Sequence, residues 1–315
     1  MKFLTPQGIG DVTWALAKVQ SIAKRIGVDI DMAIACNDRN ELQTRSLEYV
    51  RRFPFVRSAE MVRAEVLRTG AATDEKGRWR YIDDGPIPTG ELFSLMPNAC
   101  LERGERLEKW FPQDEIDWTI TRNWKSTEAE TTWAKTVESQ FGPFAIVYPG
   151  PESGNTREGH NRNSLWKPFQ WIELAQQIRE MGLIPIAIGA SYDFSFWKRH
   201  VLPVMKSIDP TAKLIVSFVG QTSIGRVLAL IRRARFGIYY QSGLGVWSAF
   251  EGIPTAMFWR PEGDSAHPSR LISFNERMAS AWVPPEELKS ERYLPCVYTK
   301  ISVDGIAHWA KKWAQ

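Results

Sequence analysis

The sequence is poor in the residues that build disulfide frameworks and metal centres. Its 315 residues include only three cysteines and four histidines. Cys36, Cys100 and Cys296 are far apart and form no C-x-x-C pair, and the histidines show no metal-ligand spacing. This scarcity argues against a disulfide-stabilised mini-domain and against a zinc site. We therefore expect no bound metal ion.

Long hydrophobic runs and a strong excess of one charge are also missing. No stretch approaches 18 consecutive apolar residues, so no transmembrane segment is predicted. The chain reaches Pro6 and Gly8 before a signal-peptide apolar region could form. The net charge of +4 is too small to argue by itself for binding to nucleic acid or membranes. We expect a cytoplasmic monomer, with peripheral membrane contact left open.

What remains is the composition of an ordinary globular protein with extra tryptophan. Apolar residues make up 43% and charged residues 24%, and the length suggests two domains. Many of the 14 tryptophans must pack in the core, but such an excess also suits a cleft that stacks sugars or bases. The candidates for that role in the N-terminal half are Trp79, Trp110, Trp118 and Trp124.

The N-terminal residues predict a strand, a helix and a second strand. The strands are expected at 2–5 and 28–35, and Gly27 ends the helix between them. The pattern then loosens as far as Gly142. The clearest further elements are helices near 39–52, 98–110 and 128–140, and a strand at 118–120.

A fresh series of alternating strands and helices starts after Gly142. Its strands are expected at 145–148, 183–189, 214–218, 236–240 and 255–259. Such alternation predicts an α/β protein with doubly wound parallel sheets. We assign an N-terminal domain to 1–142, a C-terminal domain to 143–300 and a separate last helix to 301–315. The default ligand site is the crevice between the domains, at the carboxyl ends of the strands.

The turn Gly8-Ile9-Gly10-Asp11 lies where dinucleotide-binding fingerprints occur, between the first strand and the first helix. Thr13 replaces the third glycine, so the match is partial. Asp11 falls at the helix N-terminus, where the helix dipole stabilises a carboxylate. Two interpretations stay open: a helix-capping residue, or a general base facing the cleft.

A second turn rich in small residues, 240–245, closes one predicted strand and opens a helix. Its backbone N–H groups could bind a phosphate, although a tight turn that needs glycine for packing has the same pattern. Arg157, Arg162 and Lys167 flank the other long turn of this domain and could neutralise a diphosphate.

Two other charged motifs favour a structural interpretation. Asp29 and Asp31, near the end of the second predicted strand, are locally compatible with NAD binding and formally match the D-x-D of metal-dependent sugar transferases. Strand alternation puts both carboxylates on one face, where solvent can cover them. The run at 232–235 ends a helix, where cations suit the dipole.

Taken together, six motifs resemble glycosyltransferase family 9, the ADP-heptose:lipopolysaccharide heptosyltransferase group. They are similar to the family's G-x-G-D turn, its H-P-G, its K-x-W-P segment, the strand that follows, its G-x-T-[ST]-[IL] turn and its D-[ST]-G helix start. In chain order they lie at 8–11, 148–150, 165–169, 182–189, 220–224 and 241–255.

Three positions depart from the family pattern. Gln241 stands where the family has Asp, Val246 where it has His, and Ser164 where it has the Lys of K-x-W. Charge for the phosphates would then have to come from the neighbouring cations, which are Arg157, Arg162 and Lys167.

The resemblance implies a GT-B fold, with two Rossmann-like domains facing across a cleft and the last helix crossing back to the N-terminal domain. It also implies inverting, metal-independent sugar transfer, with Asp11 as the base and no cofactor beyond the nucleotide-sugar donor. The candidate donor contacts are Gly10, Arg157, Arg162, Lys167, Gln221, Thr222, Gln241, Ser242, Gly243, Leu244, Gly245 and Arg260. Candidates on the acceptor side are Gln7, Asn98 and Arg103.

Four functional hypotheses follow from these observations. The first is a glycosyltransferase acting on a bacterial surface glycan or lipid-linked glycan. The second is the same chemistry on hydroxymethylated DNA bases, as in phage enzymes. The third is a non-catalytic nucleotide-sugar binder, which the three departures would suit. The fourth, an NAD dehydrogenase, is disfavoured by the missing glycine.

Overall fold

The chain divides into two compact units, Met1–Lys125 and Ser126–Gln315. A computed structural model describes residues 2–6, 8–36, 40–63, 115–149, 166–211, 213–259, 282–297 and 300–315. Over the described part of the chain, no helix is long and apolar enough to cross a membrane.

The first unit contains a parallel sheet in which the described strands lie in the order β1-β2-β3. Its elements in chain order are β1 (Lys2–Pro6), α1 (Ile9–Ile26), β2 (Ile30–Cys36), α2 (Asn40–Val50) and β3 (Val56–Arg63). Gly27 ends α1 in the left-handed conformation, with φ 70° and its N–H bonded to the Ala23 carbonyl. The predicted βαβ unit is therefore confirmed, and β3 is a strand that the sequence analysis did not anticipate.

Helix α1 is buried on more than its apolar face. Trp14, Leu16 and Val19 are core residues, but Thr13 and Lys18 are buried as well. The Thr13 hydroxyl lies 2.8 Å from the Tyr49 hydroxyl, and Lys18 Nζ lies 2.8 Å from a carboxylate oxygen of Glu115. Such hydrogen bonds and ion pairs offset the free-energy cost of removing a polar group from water. These contacts fix helix α1 within the first unit, and with it the turn from which the helix starts.

The predicted strand at 118–120 is wrong. The segment forms a turn that leads into a 3₁₀ helix, Ile120–Asn123. The Asp117 carboxylate accepts hydrogen bonds from the Thr119 N–H (3.0 Å) and hydroxyl (2.6 Å), a local pattern that competes with strand pairing. The short apolar segment had the pattern of a strand, but the preceding Asp117 favours a turn.

The second unit is built on a six-stranded parallel sheet in the order β6-β5-β4-β7-β8-β9. Its strands are β4 (Phe144–Tyr148), β5 (Ile184–Ala187), β6 (Val216–Ser217), β7 (Gly237–Tyr240), β8 (Thr255–Trp259) and β9 (Tyr293–Val297). In order of appearance this reads 3-2-1-4-5-6, the doubly wound arrangement of dinucleotide-binding domains. The α/β class and the parallel sheets predicted from the sequence are confirmed.

Strand β9 escaped the sequence analysis because of its proline. Pro295 has no N–H to give to a ladder, so a strand that contains it is tolerated mainly at an edge. Among the described strands β9 is the outermost on its side and pairs with β8 alone. The edge position is what makes the sequence compatible with a strand.

The helices of the second unit are each formed by a segment between two strands or at the chain end. They are α3 (Glu128–Phe141), α4 (Pro168–Glu180), α5 (Ser191–Phe196), α6 (Leu202–Ile208), α7 (Ile224–Ile231), α8 (Gly243–Phe250), α9 (Pro285–Lys289) and α10 (Val303–Lys311). A π-helical segment, Trp197–Val201, joins α5 to α6.

The boundary between the units lies at Lys125/Ser126 and not at Gly142, because α3 packs on the second unit. Trp133 of α3 makes an edge contact with Phe218 (5.3 Å between ring centroids), and the Arg226 guanidinium lies 5.4 Å from its ring. Glu138 of the same helix pairs with Arg233. The helix that the sequence analysis placed at the end of the first domain therefore begins the second.

The last helix, α10, also belongs to the second unit. Gln177 donates a 2.8 Å hydrogen bond to Asp304, and Trp309 packs edge-on against Phe236. The Trp309 indole N–H bonds the Glu291 carbonyl at 3.1 Å. The predicted return of this helix to the N-terminal domain is not supported by these contacts, because its apolar face is covered by the sheet and helix next to it in the second unit.

Candidate functional site

The strand order of the second unit directs attention to one point at the edge of the sheet. The chain runs outward from β4 through β5 to β6 and then returns to β7 on the other side of β4. The crossovers that follow β4 and β7 therefore leave in opposite directions. In open α/β sheets, ligands bind at the carboxyl ends of the strands beside such a switch point. The residues directly after β7, Gln241 and Ser242, lie there.

Ser242 starts helix α8 with free backbone donors. It is the N-cap, with extended φ and ψ of −155° and 158°, and its hydroxyl accepts from the Gly245 N–H at 3.2 Å. The N–H groups of Gly243 and Leu244 have no acceptor within the described residues. The positive end of the helix dipole and two open N–H groups suit an anion such as a phosphate.

Gly245, also predicted to contact the donor, is required for close packing. A Cβ at this position would lie 3.0 Å from the Met257 methyl and 3.2 Å from Tyr239 Cβ. Its glycine therefore lets α8 approach the sheet closely. Val246, where the family has His, is 5% exposed and packs into the core.

Two polar side chains that follow strands of this sheet have buried oxygens, one in this turn and one after β6. Gln241 is held by its backbone N–H, which bonds the Phe258 carbonyl at 2.9 Å, while its Oε1 is buried and accepts no hydrogen bond from the described residues. The Thr222 hydroxyl, after the carboxyl end of β6, is likewise buried without a hydrogen-bond partner in the described part of the chain. Buried polar atoms of this kind favour a ligand that supplies the missing partner.

A buried aromatic cluster supports the turn from behind, and the sequence analysis did not foresee it. Trp166 lies 4.6 Å from Phe258 between ring centroids, and Trp171 lies 5.5 Å from Tyr240 and 5.6 Å from Phe258. All four rings are at most 4% exposed. Because Tyr240 directly precedes Gln241, the cluster fixes the backbone from which the candidate residues project. Trp166 and Trp171 therefore belong to the core of the second unit.

Asp193 is another residue that sequence reasoning missed. It lies at the carboxyl end of β5, is 3% exposed, and accepts hydrogen bonds from the Tyr148 hydroxyl (3.1 Å) and the Ala190 N–H (2.7 Å). It ties the ends of β4 and β5 together. The sequence signal was an acid four residues after Gly189, a spacing typical of the first turn of a helix.

The remaining predicted donor residues fall into two groups. Lys167 is the N-cap of α4, with its N–H bonded to Gln170 Oε1 at 2.8 Å, and exposed Gln221 donates to the Ser217 carbonyl at 3.4 Å. Both therefore lie near carboxyl ends of strands. The others lie outside the described residues: Arg157, Arg162 and Arg260, and on the acceptor side Gln7, Asn98 and Arg103.

In the first unit, Asp11 occupies the first turn of α1, two residues after the helix begins. Gly8 is the N-cap and offers no side chain, and a Cβ on Gly8 would clash with Asp11 Oδ2. The Asp11 carboxylate therefore lies over Gly8, at the carboxyl end of β1. No hydrogen bond or ion pair joins this carboxylate to another described residue. Gly10, between the two, is buried.

Burial raises the pKa of the Asp11 carboxyl from 3.8 to about 6. Desolvation is the cause, and no cation of the described residues pairs with this carboxylate. The folded state therefore holds the proton more tightly than the unfolded state, and the charged form costs stability above pH 6. A carboxylate with a pKa near the working pH is suited to accept a proton from a substrate, which favours the base over the capping interpretation.

The Asp29-x-Asp31 motif is structural, as favoured. Asp31 accepts hydrogen bonds from Arg57 Nε at 3.1 Å and from the Ser58 hydroxyl at 2.5 Å. These bonds and the Arg57 charge, opposed by some desolvation, lower its pKa. Both acids lie at the amino end of β2, opposite to where a dinucleotide-binding acid would lie. Within the described ranges, no group of His, Cys, Asp or Glu side chains could hold a metal ion.

The basic run at 232–235 is also structural. Arg232 makes a two-pronged ion pair with Glu251 (3.0 and 2.9 Å), and its guanidinium lies 5.2 Å from the Trp247 ring. Trp124, proposed as a stacking residue, is 1% exposed and packs on Tyr49 with its N–H bonded to the Tyr49 carbonyl. The acceptor-side role proposed for Trp124 is therefore wrong.

Comparison with solved structures identifies the fold. The chain superposes on E. coli ADP-heptose lipopolysaccharide heptosyltransferase II with a TM-score of 0.59 at 12% identity, covering 99% of this chain and 98% of that one. A glycosyltransferase of family 9 from Veillonella parvula gives 0.56 at 13% identity, covering 99% and 95%. E. coli heptosyltransferase WaaC with ADP-2-deoxy-2-fluoro heptose gives 0.52 at 11% identity, covering 99% of both chains.

The chain has the fold of these glycosyltransferases. No family model matches its sequence, and no curated protein sequence matches it. The likeness to glycosyltransferase family 9 read from six motifs is thus confirmed in the structure, in a chain whose sequence is divergent.

Proposed function

We propose that this protein is an inverting, metal-independent glycosyltransferase. It moves a sugar from a nucleoside diphosphate sugar to a hydroxyl group of a bacterial surface glycan. The observation that carries the proposal is the pair of βα turns described above. One presents open N–H groups at a helix N-terminus, and the other presents a desolvated carboxylate.

The donor binds the second unit. Its diphosphate accepts hydrogen bonds from the Gly243 and Leu244 N–H groups at the positive end of α8. As the bond to the sugar breaks, charge grows on the leaving phosphate, and these fixed dipoles stabilise it without reorganisation. This supplies the electrostatic role that a metal ion has in other transferases. Heptosyltransferase WaaC, which shares the fold, was solved with ADP and an ADP-linked heptose analogue, so ADP-sugars are the first donors to test.

The acceptor hydroxyl loses its proton to Asp11. Deprotonation makes the oxygen nucleophilic, and it attacks the anomeric carbon on the face opposite to the leaving diphosphate. The C–O bond to the sugar forms as the bond to the phosphate oxygen breaks, which inverts the anomeric configuration. The nucleoside diphosphate carries away the electron pair, and Asp11 carries the proton. The pKa of about 6 leaves Asp11 charged at neutral pH and ready for this step.

A panel of nucleoside diphosphates and their sugars tests the proposal directly. A ligand at 100 times its dissociation constant stabilises the folded state by about 2.7 kcal/mol, which a thermal-shift measurement detects. The nucleotide sugar that stabilises most is then incubated with glycan acceptors in excess EDTA, and the anomer formed is read by NMR.

We expect stabilisation by one nucleotide class and transfer with inversion in EDTA. A requirement for a divalent metal, or retention of configuration, would refute the mechanism. Binding without hydrolysis or transfer to any acceptor would favour a nucleotide-sugar binding protein. Transfer to hydroxymethylated DNA would replace the glycan by a nucleic acid as the acceptor.

A further inference from the structure

A cavity of about 540 Å³ lies in the second unit, away from the switch point. Helix α6 and the π-helical segment form one wall through Trp197, Leu202 and Met205, and the sheet forms the other through Ile184 and Val216. Ile184 is the first residue of β5, so the cavity lies toward the amino end of that strand, whereas the proposed donor turn lies at the carboxyl ends. The volume is within the range that holds a small organic ligand.

A proline accounts for the space. Pro203 lacks an N–H, so it cannot bond the Arg199 carbonyl four residues earlier, and its ring disfavours a regular helix there. The chain responds with the wider π-helical turn Trp197–Val201, in which the Leu202 N–H bonds the Trp197 carbonyl. The widened turn leaves Leu202 half-buried beside Val216 instead of fully packed. The lining is thus apolar but not closed.

Both charged side chains that line this cavity are cations, Arg179 and Lys213. Arg179 donates to the carbonyls of Lys213 and Leu214, and neither cation has a carboxylate partner among the described residues. The Asp209 carboxylate accepts bonds of 2.8 Å from the N–H groups of Lys213 and Leu214, and its charge acts on the Arg179 guanidinium from across that loop. The cavity therefore combines an apolar wall with two cations, whose side chains form no ion pair with a carboxylate of the described residues.

We propose that this cavity binds an aliphatic carboxylate of medium chain length. The alkyl chain packs against Leu202, Ile184 and Val216, which are only partly buried, so that their remaining apolar surface is removed from water. The carboxylate pairs with the Lys213 ammonium and the free N–H groups of Arg179. A neutral or cationic amphiphile would fill the same apolar wall but leave these charges without a partner. This site is independent of the proposed transfer reaction, since it uses none of the same residues.

Isothermal titration of the full chain with octanoate tests this site. We expect saturable binding of one octanoate, with octyl glucoside and octylammonium binding at least about tenfold more weakly, since each lacks the charged hydrogen bond to Lys213. Acetate, which has the charge without the chain, should not bind. Lys213→Glu should weaken octanoate about tenfold and improve octylammonium.

Two further variants make the result specific. Lys206→Glu removes an exposed cation of α6 that does not line the cavity, and should leave octanoate binding unchanged. Val216→Trp fills the cavity and should abolish binding, with a thermal-unfolding curve to show that the protein is folded. Binding that Lys213→Glu and Val216→Trp both leave intact, or no saturable binding up to a few millimolar octanoate, would overturn the proposal.

Discussion

Two helices of this protein begin at the carboxyl end of a buried parallel strand, yet their N-termini are equipped in opposite ways. Helix α1 begins after Gly8, which has no capping side chain, and carries Asp11 in its first turn. Helix α8 begins after Ser242, which caps Gly245, and has no acidic residue in its first turn. The first N-terminus holds its own anion, while the second leaves two N–H groups open for an external one.

The difference teaches how one backbone arrangement serves two purposes. A helix N-terminus attracts negative charge wherever it occurs. At α1 the chain supplies its own carboxylate, Asp11, which is partly buried and forms no hydrogen bond with the described residues, so that its raised pKa suits it to accept a proton. When the chain supplies only small residues, as at Ser242 and Gly243, the site remains open for a phosphate. Glycine is needed at Gly8 to make room for the acid and at Gly245 to let the helix approach the sheet.

The sharpest way to break the comparison is Asp11→Asn. The amide keeps the shape of the side chain but cannot accept the acceptor's proton, so transfer should fall by about 10²-fold or more. Donor affinity, which depends on α8, should not change. Single-turnover transfer and donor titration separate the two effects. Near-normal transfer by this variant would remove Asp11 from the role of base.

Gly8→Ala should lower transfer by displacing the Asp11 carboxylate. The new methyl group would clash with Asp11 Oδ2, so the carboxylate must move, and we expect transfer to fall by about tenfold or more. The double variant with Asp11→Ala removes the clash and should recover stability but not transfer, as urea unfolding can show. Gly305→Ala is the matched control, because a Cβ there meets only ordinary contacts, the nearest at 3.4 Å. If it lowered transfer as much, the positional argument would be wrong.

Gly243→Pro tests the open N–H groups of α8. Proline is well tolerated at the first helical position, and the extended Ser242 before it is compatible with a following proline. The variant loses one N–H donor, so donor affinity should fall about tenfold while stability is nearly unchanged. Gly243→Ala keeps the N–H and should bind the donor normally. Equal donor affinities of the Pro and Ala variants would show that this N–H does not contact the donor.

The last prediction concerns stability and its dependence on pH, and it involves no transfer or donor binding. Because the folded-state pKa of Asp11 is raised from 3.8 to about 6, its charged form destabilises the protein above pH 6, by up to about 3 kcal/mol. Asp11→Asn should therefore have a higher Tm than the original chain at pH 8. The difference should shrink as the pH falls from 6 to 3.8 and should vanish below 3.8, where Asp11 is protonated in both states. A difference that is independent of pH would contradict burial of an uncompensated carboxylate.

Much of the fold could be predicted because strands and helices alternate in the second unit and are separated by glycine and proline residues. Strand β8 was predicted with its observed bounds, and the start of α4 at Pro168 follows from proline's preference for the first turn. Two strands were missed, β3 because it is rich in charged residues and β9 because it contains Pro295. Only the sheet shows that β9 is an edge strand, where a proline is harmless.

The candidate site divides in the same way. Asp11 and Ser242-Gly243-Leu244 were found because a helix start after a strand has a local signature. Asp193 and the cluster of Trp166, Trp171, Tyr240 and Phe258 were not, because their roles depend on contacts between segments far apart in the chain. The same holds for Trp124, which composition alone could not assign to the core.

The sequence by itself determined the α/β class, the two turns that carry the proposed chemistry, and the likeness to glycosyltransferase family 9. These features are local, because they depend on the conformational preferences of glycine, proline and capping residues over a few neighbouring positions. Only the tertiary structure decided the strand order with its switch point, the unit boundary before α3, and the desolvation that raises the pKa of Asp11. Those depend on which distant residues exclude water from one another, and no local pattern records that.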